Sequence, residues 1–208
     1  MNSGYIKSFI NGLLGGLLII LGCCVYLITN NIYIGAFLFS IALYNICINN
    51  YFLYTGKIGY IIKENNKQDI LNIIFGLLGN IIGTFTLGII IGNILNNIYD
   101  NAHLLCVNKL NNNNYIQVLI KSFLCGILMY IAVNSYKKYN KVINIFLCVP
   151  VFILCGFEHS IANMGYFSLA KICTLDAVIF IIISIIGNSI GSILFSLLDN
   201  LRFKLTKN

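Results

Sequence analysis

Long apolar runs fill this chain, and the polar residues between them fall at intervals wide enough to mark elements. The pattern parses into six apolar segments at about 8–29, 32–63, 70–96, 114–135, 142–170 and 174–199. Each is near or above the roughly 20 residues that cross a bilayer as a helix. The second and fifth are too long and too interrupted to be single straight helices. The first interruption is Asn49-Asn50-Tyr51-Phe52-Leu53-Tyr54-Thr55-Gly56-Lys57, and the second is Cys155-Gly156-Phe157-Glu158-His159-Ser160.

The segments repeat. The third carries Gly79-Asn80-Ile81-Ile82-Gly83 and the sixth Gly187-Asn188-Ser189-Ile190-Gly191, each one segment after an interruption. Three segments per half make the halves, about 8–96 and 114–199, inverted relative to each other within one domain spanning 1–208. Broken helices at matching positions of inverted halves point to a transport site near the midplane. Each break exposes backbone N–H and C=O groups that protein or cavity water must satisfy. Asn80 and Asn188 are expected to tie that backbone down, and the Gly-x-x-x-Gly spacing reads as close helix packing.

Composition agrees with the pattern. A mean hydropathy of +0.88, with 59% hydrophobic and 9% charged residues, excludes a soluble domain of this length. The expected fold class is an all-α integral membrane protein of six transmembrane helices. No cleavable signal peptide is expected, because the first segment has no small-residue cleavage site.

Charge orients the chain. With both termini inside, Lys7, Lys57, Lys63, Lys67, Lys137, Lys138, Lys141, Arg202, Lys204 and Lys207 are cytoplasmic, leaving Lys109, Lys121 and Lys171 of the 13 basic residues. The positive-inside rule then places both termini in the cytoplasm of a plasma-membrane protein. The net charge of +7 reads as topology and attraction to anionic lipid; its scatter argues against nucleic acid. The eight cysteines have no Cys-x-x-Cys or Cys/His ligand spacing and read as small apolar fillers. No metal or cofactor is expected. The Asn-rich composition, including Asn111 to Asn114, carries no catalytic reading.

One place departs from this apolar background: Glu158 and His159 sit inside the fifth segment, where an ionisable group costs several kcal/mol unless it faces a cavity or a partner. Adjacent residues on a helix point about 100° apart, so Glu158 reads as an anchor for the backbone of the other break and His159 as the pore group.

At these residues the chain resembles the formate/nitrite transporter family. The resemblance is carried by Gly156-Phe157-Glu158-His159-Ser160-Ile161-Ala162-Asn163-Met164, the Leu53-Tyr54-Thr55-Gly56 break, both Gly-Asn-x-x-Gly elements and the six-segment order. It implies an aquaporin-like fold, a homopentamer with one pore per protomer, and transport of formate, nitrite or hydrosulfide. It implies a central histidine at His159, with Thr55 within hydrogen-bonding reach across the pore, and constrictions around Phe39, Leu43, Leu53 and Phe152. It also implies a lysine before the fourth helix, at Lys109 or Lys121, and support of the broken helices by Glu158, Asn163, Asn80 and Asn188. Two departures stand out: Gly126 replaces a common Asn, and Tyr54 a common Phe.

The implied mechanism draws an anion in toward Lys109 and the positive ends of the half-helices. At His159, burial and an arriving anion pull the two protonation states in opposite directions, so the anion is expected to meet a proton shared with His159 and cross as its neutral acid. The alternative is a neutral-solute pore of aquaporin type, although the single proline, Pro150, excludes paired Asn-Pro-Ala boxes. An ammonium pore would need a second pore histidine, and His103 lies in a polar connection. An enzyme would bring more convergent polar groups than Glu158-His159.

Overall fold

The computed structural model describes residues 3–62 and 67–205; Lys63 and Lys207, assigned above to the cytoplasmic side, lie outside the described residues. The described residues form nine α-helices and one 3₁₀ turn: α1 (Ser3–Ile28), α2 (Ile32–Ile48), α3 (Tyr54–Lys57), the turn Ile58–Tyr60, α4 (Lys67–Ile94), α5 (Asn96–Asn112), α6 (Tyr115–Tyr139), α7 (Ile143–Leu154), α8 (Ser160–Leu169) and α9 (Leu175–Leu205). Helices α1, α4, α6 and α9 are long and apolar enough to cross a membrane alone, whereas α2 and α7 are apolar but shorter. Each long interrupted segment of the sequence is therefore two helices, α2 with α3 and α7 with α8. The connection 97–113, read from sequence as a polar link, is largely the helix α5, which turns Ile98, Ala102 and Cys106 inward.

The packing is inside out relative to a soluble protein. Val178, Ile182, Ile186, Ile190, Leu194 and Leu198, four apart along α9, are all exposed, as are Ile70, Ile74, Leu78 and Ile82 along α4. Glycines occupy the opposite, inward faces. A Cβ on Gly79 would strike the Phe9 carbonyl of α1, and one on Gly83 the Leu13 carbonyl. In the other half, a Cβ on Gly187 would meet Leu119 and Ser122 of α6, and one on Gly191 the Phe123 carbonyl. Contact this close between backbones is how helices associate in lipid, where apolar side chains gain nothing by leaving the solvent. The most extensive helix pairs are accordingly α1 with α4 and α6 with α9. Gly126 belongs to this set, since a Cβ there would collide with the Asn188 carbonyl.

Asparagines finish many of the ends. Asn31 caps α2 by accepting from the Tyr33 and Ile34 amides. Asn114 and Gln117 form a reciprocal capping box on α6. Asn50 and Asn140 take left-handed φ values of 55° and 54°, which Asn tolerates better than most residues. Much of the Asn-rich composition thus has local structural work.

Replacing Gly191 by Val should destabilise the protein by about 1–3 kcal/mol through overpacking. Gly4→Ala, where a Cβ meets only side-chain atoms at 3.7 Å, should be near neutral. Thermal unfolding of the detergent-solubilised protein distinguishes the two, and equal melting temperatures would contradict the packing argument.

Candidate functional site

Two stretches leave the helix beside one another, and one asparagine from a neighbouring long helix fastens each. After α2 the chain runs through Tyr51 and Phe52 to Leu53, whose extended backbone starts α3. Asn80 of α4, fully buried, accepts from the Tyr54 amide at 2.9 Å and donates to the carbonyls of Phe52 at 2.9 Å and Gly12 at 2.7 Å. After α7 the chain turns at Gly156, φ +66°, with nothing near its Cβ position, and reaches His159, whose extended backbone starts α8. Asn188 of α9, also fully buried, accepts from the Ser160 amide at 2.8 Å and donates to the carbonyls of Glu158 at 2.8 Å and Ser122 at 2.7 Å. The two stretches are built alike, contact for contact.

Between them lies a contact that joins the halves. The Thr55 hydroxyl and His159 Nε2 are 2.8 Å apart, and both residues are buried. His159 Nδ1 accepts the Ala162 amide at 3.0 Å, capping α8. That bond keeps Nδ1 unprotonated, so the neutral ring carries its hydrogen on Nε2 and donates it to Thr55. Phe152 stacks on the imidazole with ring centroids 5.5 Å apart, and Phe39 meets Phe152 edge-on at 6.2 Å. Phe152 and His159 meet across the Gly156 turn, because α7 ends at Leu154.

Leu43, Leu53, Phe39 and Phe152 are 1–4% exposed, and two cavities border members of this set. One, of about 340 Å³, is lined by Leu43, Leu53, Cys47, Lys57 and Lys137 among others, with no carboxylate among its described lining residues. The other, of about 130 Å³, touches Phe152, His159, Asn163 and Lys109. Lys109, carried by α5, forms an ion pair with Glu158 at 2.5 Å, their side chains 15% and 2% exposed. The Glu158 carboxylate therefore meets a lysine, where the sequence reading gave it the backbone of the other break; outside a helix its side chain is not held to a helical direction. Lys121 is directed elsewhere, its ammonium to the Asn113 carbonyl oxygen of the side chain at 2.5 Å. Asn163, 1% exposed, donates to Ser184 at 3.4 Å. The Tyr54 hydroxyl pairs with Ser189 at 2.7 Å.

Sequence reasoning missed Tyr26, Leu105, Phe157 and Tyr166 in the wall of the smaller cavity. Tyr166 follows the Glu-His element directly enough to have been found, whereas Tyr26 on α1 has no local signal. Among the described residues no cluster of His, Cys, Asp or Glu has the grouping of a metal site.

The formate/nitrite transporter family model matches residues 1–200. A search of curated proteins finds no match. Among solved structures, a pentameric formate channel with formate bound superposes at a TM-score of 0.81 with 19% identity, covering 99% of each chain. An ion channel of the same family superposes at 0.76 with 20% identity, covering 96% of this chain and 89% of that one. These likenesses concern the fold.

Removing the Asn188 carboxamide, as in Asn188→Ala, takes the partner from the buried Ser160 amide and Glu158 carbonyl at about 1–3 kcal/mol each. Little folded protein should be recovered. Asn163→Ala, which loses one long bond, should shift thermal unfolding only slightly. Equal stability of the two variants would remove the anchoring role.

Proposed function

Because the chain belongs to the formate/nitrite transporter family, we propose that it is a membrane channel or proton-linked transporter for small monovalent anions: formate, hydrosulfide and nitrite. The observation that carries this reading is the Thr55–His159 hydrogen bond set among Phe39, Leu43, Leu53 and Phe152, between two cavities that each present lysine. In this reading α2 with α3 and α7 with α8 each make one broken crossing. The chain then has six crossings in two inverted repeats, about 8–96 and 114–199, of a single aquaporin-like domain spanning 1–208. Like-for-like anchoring by Asn80 and Asn188 supports the repeat. The apolar outer faces of α4 and α9 support contact with lipid and with other copies in a homopentamer, as in the pentameric formate channel. Lys7, Lys67, Lys137, Lys138, Lys141 and Arg202 support a reading with both termini on the cytoplasmic side of a plasma membrane.

The anion is drawn toward Lys109, whose charge Glu158 partly offsets. The breaks themselves offer it less than free half-helix ends would, because Asn80, Asn188, Leu53 and His159 already bond the amides of Tyr54, Ser160, Gly56 and Ala162. What remains is the side-chain pair. His159 donates to Thr55, so the Thr55 hydroxyl hydrogen is left to point at whatever occupies the pore. An apolar constriction favours passage as a neutral species, and protonation before the constriction supplies one: the anion binds H⁺, crosses as the acid and releases H⁺ beyond. Direct proton donation by His159 would require Nδ1 to give up the Ala162 amide. The geometry therefore favours a histidine that orients Thr55 over one that hands on its own proton.

Flux of formate, nitrite and hydrosulfide into proteoliposomes at two pH values should show saturable, pH-dependent uptake. Passage of water or glycerol with no anion uptake would instead establish the neutral-solute pore. Thr55→Val and His159→Gln should each slow uptake roughly tenfold, the scale of one hydrogen bond to a charged group, while the dependence on pH persists. Loss of pH dependence in His159→Gln alone would assign the proton to the histidine. Lys109→Ala should weaken anion capture, seen as a raised KM; no change would remove that lysine from the path.

A further inference from the structure

The smaller cavity holds a polar group that the transport reading above does not use. Its wall brings α1, α5, α7 and α8 together, and its polar members are Lys109, His159, Asn163, Tyr26 and Tyr166. Four of the five are engaged. Lys109 holds Glu158, His159 holds Thr55 and the Ala162 amide, Asn163 donates to Ser184, and the Tyr166 hydroxyl faces the Cys23 thiol. Tyr26 is different. It is half-buried, its ring tilts against that of Tyr166 at 6.3 Å, and its hydroxyl has no hydrogen-bond partner among the described residues.

We infer that Tyr26 is a specificity-determining residue: its phenolic O–H is the donor offered to an anion held in this cavity, and it selects planar two-oxygen anions over hydrosulfide. The inference rests on the transport reading and names the substrate class within it. Lys109 attracts every monoanion alike, because charge attraction has little direction. A hydroxyl adds direction. Formate and nitrite present two oxygens, so one can face the ammonium while the other accepts from the phenol in a charge-assisted bond. Hydrosulfide presents a single sulfur, a weaker acceptor, and gains less from the same donor. The placement also suits selection, since the cavity adjoins Phe152 and His159 and the choice is made before the apolar constriction.

The test is flux of sodium formate, nitrite and hydrosulfide through the full-length protein in proteoliposomes, for the wild type, Tyr26→Phe and Tyr166→Phe. Tyr26→Phe should lower formate and nitrite uptake about tenfold relative to hydrosulfide, the scale of one hydrogen bond to a charged acceptor. Tyr166→Phe should leave that ratio within about twofold, since its hydroxyl already has a partner. An unchanged ratio in Tyr26→Phe overturns the inference, and so does an equal fall in all three fluxes, which would make the phenol a packing group. A wild type that carries none of the three overturns the transport reading itself, and the selectivity with it.

Discussion

The structure depends on two buried carboxamides. A chain surrounded by lipid cannot leave its backbone unpaired, and it is therefore confined to continuous helices unless something replaces the missing bonds. Asn80 and Asn188 replace them. Each uses its carbonyl oxygen for one amide and both N–H donors for two carbonyls, so all its polar atoms are engaged with one stretch of irregular chain and one neighbouring helix. An aspartate would lack the donors and a leucine would lack everything. With the backbone satisfied in this way, side chains at the ends of α3 and α8 can face each other in the interior instead of lying along uninterrupted helices.

The glycines make that arrangement reachable. Asn80 can bond the Gly12 carbonyl only because α1 and α4 approach to backbone contact, and Asn188 can bond the Ser122 carbonyl only because α6 and α9 do the same. The close approach and the anchoring are thus one design on opposite sides of the same helices. Seen this way, Gly126 is no deletion of a polar group: it admits the Asn188 backbone, and Ser192 donates to its carbonyl at 2.8 Å.

Much of this was legible in the sequence, for physical reasons. Helix length and apolar content follow from the bilayer, so α1, α4, α6 and α9 could be read to within about six residues at each end. The interruptions were visible because Asn, Gly and charged residues are costly in an apolar run. The anchoring asparagines were visible because they repeat. Three features were not. Helix α5 is short of apolar residues and only three of its side chains are buried, so no periodic signal marked it. The partner of Glu158 depended on where that helix places Lys109. The direction of the imidazole depended on the Ala162 amide, and thus on α8 beginning at Ser160, a boundary that sequence pattern leaves uncertain by several residues. Tyr26 becomes a neighbour of the Glu-His stretch only through the folding of α1 against α8.

The likeness of the two breaks also exposes a chemical difference between them. Leu53 and His159 occupy the same place in the two halves: each has extended backbone, each precedes the residue whose amide an asparagine holds, and each begins a short helix. One is an inert hydrocarbon and the other an imidazole. A passage built from two equal units would look the same from both ends. The passage proposed above does not: a species coming from the Lys109 side would meet the imidazole before the leucine, and one coming from the Lys57 side would meet them in reverse. The difference between matched positions thus gives two similarly anchored breaks a front and a back.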